Sequence, residues 1–538
     1  DPFGASSFYS GSGYFILYWV AISMSKTIII IIGAGLAGLS AALQAAENGC
    51  NVKLVSSLPS ERAQSVMAEG GINAALNTKD ENDSPEEHFT DTIKAACGLA
   101  DPNAVWGMTQ AAPELVHWLL KLGVKFNMSG YDDVDLRNFG GQKKKRTAFA
   151  QSDTGKQIMT AMIDAVRRKE ASGMVERFSH HSFLTLRLCG NICCGCVIRD
   201  EYSQETVELP GDAVIVATGG MHGLFGNTTG SLTNTGEVTA ELFRLGVPLA
   251  NGEMIQYHPT TVKCGGKRML ISEAARGEGG RLFAMKDGKQ WYFMEEKYPE
   301  LGNLMPRDIT AREIWKVSHE SEVFLDMTEI SEEIISNKLS GLADDCMTYL
   351  HKDIRKEPVS VLPGIHYFMG GILVDEQHRT PIQNLCAAGE CCAQYHGANR
   401  LGGNSLLGAL YGGRVAAKSA CEQADVVDLS CATQIDFPPA SQISEIKQLN
   451  KVMQETMGVV RNENTLLNGI QTVQALTGNL PLLGMAVLKS ALARKESRGA
   501  HWREDYPKSN DDDYLKTTVA RFDGKQIQIS FVPVPERR

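Results

Sequence analysis

Residues 27–38 have the sequence Thr-Ile-Ile-Ile-Ile-Ile-Gly-Ala-Gly-Leu-Ala-Gly. The five isoleucines are apolar and β-branched, and they predict a strand buried on both faces, as strands of a parallel sheet are. A glycine-rich turn follows at once, and residues 39–47 are predicted to form a helix that ends near Gly49. A strand, a G-x-G-x-x-G turn and a helix in this order predict that the chain binds a dinucleotide.

Each glycine of the turn has its own physical reason. Gly33 allows the tight turn, Gly35 lets the backbone approach a pyrophosphate, and Gly38 lets the helix pack closely against the strand. The pyrophosphate then lies at the positive end of the helix dipole. The predicted contacts of this turn are Gly33, Ala34, Gly35, Leu36, Ala37 and Gly38.

Segments far apart in the chain are predicted to return to the same nucleotide, which favours FAD over a compact NAD domain. The predicted second strand, residues 51–55, ends at Ser56 and Ser57, where the usual fingerprint has an acid that holds the ribose. Serine hydroxyls can still hydrogen-bond a ribose. Two further strands are predicted over residues 212–217 and from residue 385. The additional contacts predicted from these segments and from a glycine pair are Gly70, Gly71, Thr218, Gly219 and Glu390.

The composition limits the possible functions. The chain has 538 residues, a formal net charge of -10 and a pI near 5.7, so it lacks the basic excess that binds phosphate backbones, and nucleic acid is not an expected partner. Residues 193–196 group three cysteines without a second pair at metal-ligand spacing, so no metal site is predicted.

Residues 1–23 precede Met24 and are predicted to be an upstream or non-native extension. Their apolar run is too short to span a bilayer, and no direct membrane span is expected.

Five further blocks of sequence carry a family resemblance. The blocks are Gln256-Tyr257-His258-Pro259-Thr260, residues 272–280, Pro306-Arg307-Asp308, residues 366–372 and residues 396–406. By the order and spacing of these blocks, the chain from about residue 28 to about residue 518 resembles the flavoprotein subunits of succinate dehydrogenase and fumarate reductase, with L-aspartate oxidase as the sister family.

The resemblance implies an α/β fold, α+β overall. A discontinuous Rossmann-like FAD-binding domain, residues 25–250 and 363–435, is expected to be interrupted by a capping domain over residues 251–362. A C-terminal helical region and tail, residues 436–538, is expected to complete the chain. The helix-forming composition of residues 448–497 agrees with that last unit.

The resemblance also implies that the enzyme interconverts fumarate and succinate. Reduction of a C=C bond between two carboxylates requires a hydride on one carbon, a proton on the other, and positive charge that binds both acid groups. In the family pattern His258, His366 and Arg400 bind the carboxylates, and Thr260 and Ser272 donate hydroxyl groups. An arginine can hold one carboxylate with two parallel hydrogen bonds.

The family pattern places the proton donor at Arg307, with Glu273 and Arg276 as a relay toward solvent. A guanidinium hardly releases its proton in water. Burial and a neighbouring arginine would ease the release, and Glu273 could return the proton. The plainer alternative is that Arg307 forms only an ion pair with Asp308.

The flavin is expected to be bound noncovalently. Membrane-bound family members attach FAD through a histidine of the segment that is residues 63–68 in this chain, and Gln64 occupies the histidine position. Glutamine cannot form that bond, and its loss lowers the flavin potential, which favours fumarate reduction over succinate oxidation. By the resemblance the remaining FAD contacts are Arg62, Ala63, Gln64, Ser65, Ala68, Glu237, Ser405 and Leu406.

Two other functions stay open on the sequence. L-aspartate oxidase shares the histidines and arginines and also holds FAD noncovalently, although the Leu-Gly-Gly after Arg400 and the tail over residues 496–506 favour the dehydrogenase group. A noncatalytic electron-transfer or assembly subunit would keep the flavin without turnover, and the intact substrate set argues against it.

No second G-x-G-x-x-G marks an NADH site, so electrons are expected from an iron–sulfur subunit or a small electron carrier. The expected location is the cytoplasm, free or peripheral to the inner face of the cell membrane through partner subunits.

Charged residues outside the blocks are expected to be ordinary core or surface groups. This applies to the histidines His180, His181 and His222. The basic run over residues 143–146 is expected to be a solvated face, with contact to a partner subunit as the alternative.

Overall fold

The computed structural model describes residues 27–423, residue 437 and residues 442–538. The predicted extension, residues 1–23, and the predicted boundary at residue 435 lie outside the described residues. The strands are β1 (Ile28–Ile32), β2 (Asn51–Ser56), β3 (Ile72–Asn73), β4 (Leu136–Arg137), β5 (Thr147–Ala148), β6 (Val175–Ser179), β7 (His181–Cys189), β8 (Ile192–Asp200), β9 (Thr206–Pro210), β10 (Ala213–Val216), β11 (Leu249–Ala250), β12 (Ile255–Cys264), β13 (Lys267–Leu270), β14 (Arg281–Lys286), β15 (Lys289–Trp291), β16 (Val323–Asp326), β17 (Val359–Ser360), β18 (Leu362–Phe368), β19 (Gly371–Leu373), β20 (Leu385–Ala387), β21 (Cys392–Ala393), β22 (Lys516–Phe522) and β23 (Ile527–Pro533).

The α-helices connect and cover these strands. Short helical turns are omitted here. The helices are α1 (Leu36–Glu47), α2 (Pro85–Ala95), α3 (Pro102–Leu122), α4 (Thr154–Ala171), α5 (Glu237–Arg244), α6 (Glu273–Gly277), α7 (Phe293–Lys297), α8 (Arg307–Val317), α9 (Glu332–Lys338), α10 (Ser340–Asp345), α11 (Asn404–Gln423), α12 (Ile443–Thr456), α13 (Glu463–Val473), α14 (Asn479–Ala493) and α15 (Asp511–Tyr514). Within the described residues, no helix combines the length and the apolar character that a bilayer span requires.

A five-stranded parallel sheet, in the order β20-β10-β1-β2-β6, forms the centre of the nucleotide-binding region. Residues 29–31 of β1 are 0% exposed, which confirms the prediction of a strand buried on both faces. The carboxyl ends of the parallel strands lie at one edge of the sheet, where ligands of such folds bind. The loops after β1, β2, β10 and β20 therefore lie at the same edge.

Helix α1 begins at Leu36, so its first turn contains residues that were predicted to belong to the glycine turn. A side-chain carbon at Gly38 would lie 1.8 Å from the Gly33 carbonyl oxygen, so only glycine allows this packing. Helix α1 packs along α11, and the Ser40 hydroxyl donates a hydrogen bond to the Leu410 carbonyl oxygen at 2.6 Å. These two helices both begin at the edge of the sheet described above.

A second unit with its own apolar core covers that edge. It contains the antiparallel sheets β13-β12-β18 and β15-β14-β16-β17 together with α7 to α10. Its core includes Leu282, Leu325 and Ile335, each 0% exposed. This unit corresponds to the expected cap, and the chain returns from it to the parallel sheet at β20. The numerical bounds given for the domains stay a prediction.

The C-terminal region contains the expected helices α12, α13 and α14, but the expectation of a helical region followed by a plain tail was incomplete. Strands β22 and β23 form a hairpin that extends a sheet in the order β21-β19-β11-β22-β23. Exposure alternates along β23, which is typical of a strand with one solvated face. The pair Asp523-Gly524 lies in the turn between the two strands.

The expectation that residues 143–146 form a solvated face was wrong for Arg146. Lys143 and Lys145 are exposed, but Arg146 is 0% exposed. Its guanidinium forms ion pairs with Asp83 at 2.8 Å and with Asp91 at 2.9 Å. These carboxylates are more than fifty residues away in the sequence, so local charge patterning could not predict the pairing.

Candidate active site

A cavity of about 740 Å³ lies at the carboxyl edge of the parallel sheet and is lined by residues of both the sheet region and the cap. The structure brings almost all of the predicted site residues to this cavity. The exceptions are Gly38, Thr260 and Arg276, which do not line it. Residues more than three hundred positions apart in the sequence therefore share one chamber.

The glycine turn has the geometry expected for a pyrophosphate. Gly33 has φ +109, and a side-chain carbon there would lie 2.2 Å from the Ala217 carbonyl oxygen. At Gly35 an added carbon would meet nothing closer than 3.6 Å, so this backbone faces open space at the start of α1. The Leu36 N–H at the start of α1 donates to the Ser65 hydroxyl at 3.3 Å, and the cap residue Gly35 offers no side chain to the next N–H groups. A phosphate group in the cavity would complete this helix end.

The ends of the neighbouring strands offer polar groups to the same cavity. The Ser56 hydroxyl oxygen is buried and has no hydrogen-bond partner among the described residues. One carboxylate oxygen of Glu390 accepts a hydrogen bond from the Phe368 N–H at 3.1 Å. A buried polar atom without a partner is costly, so the Ser56 hydroxyl fits a bound ribose. The residues present thus fit a dinucleotide such as FAD.

Two of the histidines expected to be ordinary groups lie near this region. His181 lines the cavity. His222 is 1% exposed, with its Nδ1 atom 3.0 Å from the Thr228 hydroxyl and its Nε2 atom 3.6 Å from a Glu390 oxygen. His222 is therefore a core histidine, as expected, but one in contact with a cavity-lining carboxylate.

Arg400 is a buried cation at the wall of the cavity. It is 3% exposed, and within the described residues it forms no ion pair and its Nε atom has no hydrogen-bond partner. Its guanidinium carbon lies 4.4 Å from the centre of the Tyr367 ring. Burial, and then the neighbouring charge of Arg307, lower the pKa of Arg400 to about 9.

Two histidines from different strands complete the cationic side of the cavity. The rings of His258 on β12 and His366 on β18 lie 5.1 Å apart. His366 Nδ1 lies 2.7 Å from the Thr229 hydroxyl, and His258 Nδ1 lies 3.1 Å from the Thr260 carbonyl oxygen. Burial, and then Arg307, hold the pKa of each histidine well below its usual value. Both rings are therefore neutral in the free protein.

Arg307 is held by a carboxylate and an amide. Its Nη2 and Nε atoms lie 2.6 and 2.8 Å from Glu273 Oε2, and its Nη1 donates to the Gln256 side-chain oxygen at 3.1 Å. Arg276 Nη2 lies 3.4 Å from the other oxygen of Glu273. Burial works to raise the pKa of Glu273, but Arg307 and Arg276 outweigh it and hold the pKa below its usual value. The three residues form one connected ionic chain.

The plainer alternative for Arg307 does not hold, because Asp308 pairs with Arg312 at 3.3 Å. One other expectation needs correction. The Thr260 hydroxyl donates to the Ile271 carbonyl oxygen at 2.8 Å and lies behind His258, away from the cavity. Arg276 does not line the cavity but lies behind Glu273, and its Nη1 donates to the Asn303 carbonyl oxygen at 2.6 Å. Ser272 does line the cavity.

Sequence reasoning missed several residues at or beside the cavity, and three of them bear on its charged groups. Gln256 links the two arginines, because its amide nitrogen donates to the Arg400 carbonyl oxygen at 2.8 Å while its oxygen accepts from Arg307. Tyr367 supports the Arg400 guanidinium. Glu69 lines the cavity, and burial raises its pKa to about 8. Gln256 and Tyr367 are inside the quoted blocks, and Glu69 lies between two predicted flavin contacts. Examination of every residue in these stretches could therefore have found all three.

A Rossmann-like parallel sheet, a glycine-rich turn at its carboxyl edge and a chamber that continues to a cluster of arginines and histidines define an FAD-dependent oxidoreductase. A family model for an FAD binding domain matches residues 29–406, and a model for the fumarate reductase flavoprotein C-terminus matches residues 476–537. The chain belongs to the succinate dehydrogenase and fumarate reductase flavoprotein family, whose enzymes act on CH–CH groups.

Individual relatives cover nearly the whole chain. The succinate dehydrogenase flavoprotein subunit of Bacillus subtilis is 38% identical, over 96% of this chain and 98% of its own length. The 8-methylmenaquinol:fumarate reductase flavoprotein subunit of Wolinella succinogenes is 32% identical, over 95% of this chain and 92% of its own. In structure, the FrdA chain of E. coli quinol fumarate reductase has a TM-score of 0.86 at 27% identity, over 95% of this chain and 97% of that one.

Proposed function

We propose that this chain reduces fumarate to succinate and that the cavity binds the dicarboxylate through Arg400, His258 and His366. The observation that carries the proposal is the buried guanidinium of Arg400, which has no acidic partner among the described residues. An uncompensated buried charge is strongly unfavourable. A substrate carboxylate would supply the missing negative charge, and the planar guanidinium suits a bidentate contact.

The histidines suit the rest of the dicarboxylate. His258 Nδ1 lies 3.1 Å from the Thr260 carbonyl oxygen and 3.3 Å from the Thr260 N–H, so these contacts fit a proton on either nitrogen of the neutral ring. Once the ring is protonated, its Nε2 atom donates a hydrogen bond to a carboxylate. Substrate binding brings two negative charges next to both rings, which favours their protonated forms. These contacts polarise the C=C bond of fumarate toward the bound carboxylate.

FAD, when bound, supplies the hydride for one alkene carbon from its N5 atom. The proposed holders of this cofactor are the glycine turn after β1, Ser56 and Ser57 after β2, and Glu390 after β20. Burial of the substrate between these residues and the cap excludes water from the reaction.

Arg307 is the proposed acid for the second alkene carbon. Its Nη1 atom donates to Gln256 and its Nε and Nη2 atoms bind Glu273, so the guanidinium is fixed in position. After release of a proton from Arg307, Glu273 can take a proton from Arg276, 3.4 Å from its other oxygen, and pass it to Arg307. Water then reprotonates Arg276, which a hydrogen bond to the carbonyl oxygen of Asn303, a partly exposed residue, holds in position. This route is the proposed relay toward solvent.

The flavin is proposed to be noncovalent, because Gln64 lines the cavity at the position where the family's linking histidine is expected. Denaturation with trichloroacetic acid separates the two cases. We expect the yellow flavin in the supernatant, whereas flavin that stays with the precipitated chain would contradict the proposal. The noncovalent state also favours the reductive direction.

The electron donor is proposed to be an iron–sulfur subunit or a small reduced carrier. The relatives named above are flavoprotein subunits, which supports a partner that delivers electrons. Such a partner would also give the chain a cytoplasmic position at the inner face of the membrane. Purification of the chain from its native cells, followed by identification of the co-eluting proteins, tests this proposal.

One experiment separates the candidate reactions. The FAD-loaded protein is reduced anaerobically with dithionite, and the return of the oxidised-flavin absorbance is followed after addition of fumarate. Oxidised protein is mixed separately with L-aspartate. We expect rapid reoxidation by fumarate and no reduction by L-aspartate. Reduction by L-aspartate would favour the oxidase, and no response to either substrate would favour a noncatalytic subunit.

A further inference from the structure

Two cysteines far from the cavity lie close enough to react with each other. The Sγ atoms of Cys50 and Cys421 are 2.9 Å apart, although the residues are 371 positions apart in the sequence. Cys50 is 5% exposed and lies in the turn between α1 and β2, and Cys421 is half-buried in the last turn of α11. Both are free thiols.

We propose that Cys50 and Cys421 are a redox-sensitive thiol pair that forms a disulfide by exchange with a small-molecule disulfide. A disulfide needs an S–S distance of about 2.05 Å, so the sulfurs must approach by less than about 1 Å. The bond would join the end of α11 to the turn that leads into β2. Helices α1 and α11 already pack against each other, so no rearrangement of the fold is required.

The reaction is balanced as two exchange steps with glutathione disulfide. The Cys421 thiolate, on the half-buried partner, attacks one glutathione sulfur, and one glutathione leaves. The Cys50 sulfur then attacks Cys421 Sγ, and the second glutathione leaves. The protein pair loses two electrons, the glutathione disulfide gains them, and the two thiol protons end on the released glutathione thiols.

The environment predicts a slow reaction. Burial, and then the neighbouring Cys50 thiol with which Cys421 shares a hydrogen bond, raise the pKa of the Cys421 thiol. Only a small fraction is therefore thiolate at neutral pH, and exchange is expected to take hours. Other cysteines fit less well: Cys193 and Cys196 are 0% exposed, so an external disulfide cannot reach them.

The disulfide would couple the two helices that begin at the nucleotide cavity. Helix α1 starts at the glycine turn, and α11 starts beside the predicted flavin contacts Ser405 and Leu406. A bond between their far ends closes a loop of 371 positions and restricts the unfolded chain. Oxidation is therefore expected to raise the midpoint of thermal unfolding by several degrees.

The test uses the FAD-loaded full chain, incubated for hours with oxidised glutathione and then alkylated, digested without reductant and analysed by mass spectrometry. We expect a Cys50–Cys421 linked peptide that dithiothreitol removes. Cys50→Ser should stop at a glutathione adduct on Cys421, and Cys421→Ser should form no link. Cys97→Ser, which removes another partly exposed free cysteine, is the matched control and should form the link as the parent does.

The parent protein alone can overturn the proposal. A persistent glutathione adduct on Cys421 would show that Cys50 cannot reach it. Unmodified thiols at both positions after the incubation would show that the pair does not exchange, and a link from Cys421 to any other cysteine would contradict the geometry.

Discussion

Replacement of Arg400 by methionine is expected to stabilise the substrate-free protein while it weakens catalysis. The pKa of Arg400 falls from 12.5 to about 9, mainly because of burial. The guanidinium is charged at pH 7 in both the folded and the unfolded state, and the folded state disfavours that charge. The difference corresponds to a folding cost of about 5 kcal/mol that is present at every pH below about 9.

The neutral side chain removes this cost but loses some packing. The contact with the Tyr367 ring contributes about 1–2 kcal/mol, and a small void costs about 1 kcal/mol. We therefore expect the free energy of unfolding of Arg400→Met to rise by roughly 2 kcal/mol. Catalysis changes in the opposite direction, because two charge-assisted hydrogen bonds to the substrate, about 3–6 kcal/mol, are lost. The value of kcat/KM should fall by roughly 10²–10⁴-fold.

Thermal unfolding of the FAD-loaded variant with and without succinate, together with fumarate-reduction kinetics, measures both effects. The parent should gain stability from succinate by mass action, and Arg400→Met should not. The matched control is Arg312→Met, which removes the partner of Asp308 outside the cavity. It should lose roughly 3 kcal/mol of stability, because both side chains of this pair are largely buried, and keep its activity. An Arg400→Met protein that is less stable than the parent and still stabilised by succinate would refute the reasoning.

Three further changes test other parts of the structure. Glu273→Gln should lower kcat by roughly 10²–10⁴-fold, measured by fumarate reduction, because Arg307 loses its proton return path. The pKa of the Glu69 carboxyl is about 8 in the folded state and 4.5 in the unfolded state, so the folded state binds the proton more tightly. The free energy of unfolding that this proton contributes is therefore lost as pH rises toward 8. The unfolding midpoint should consequently drop less between pH 6 and pH 8.5, the span that brackets this pKa, in Glu69→Gln than in the parent. Asp83→Asn should lower the free energy of unfolding, measured with urea, by about 3–5 kcal/mol, because Arg146 is fully buried and loses a partner. Equal values for variant and parent would contradict each expectation.

The nucleotide half of the fold was predictable because its signals are local. Five β-branched residues, the glycine turn and the following helix are contiguous, and each glycine has a steric reason that the structure shows at Gly33 and Gly38. The C-terminal hairpin was missed because its alternation lies in a tail that follows three helices. The burial of Arg146 was missed because its two carboxylate partners are remote in sequence.

The substrate side depended on distant segments and on the family resemblance. The resemblance grouped His258, His366, Arg307 and Arg400, but it could not show that Arg400 has no acidic partner among the described residues. It also could not show that the Thr260 hydroxyl is already used by a backbone carbonyl group. The hydrogen-bond partner of a hydroxyl group follows only from distances in the folded chain. The roles of the hydroxyl groups were therefore less predictable than the positions of the charged residues.

Single-turnover reoxidation of the reduced protein by fumarate, compared between the parent, Arg307→Gln and Arg312→Gln, tests the proposed reaction most directly. Both arginines lie on α8, but only Arg307 lines the cavity. We expect Arg307→Gln to keep its FAD and to reoxidise at least about 10²-fold more slowly, while Arg312→Gln matches the parent. Equal rates in all three proteins would contradict the assignment of Arg307 as the proton donor.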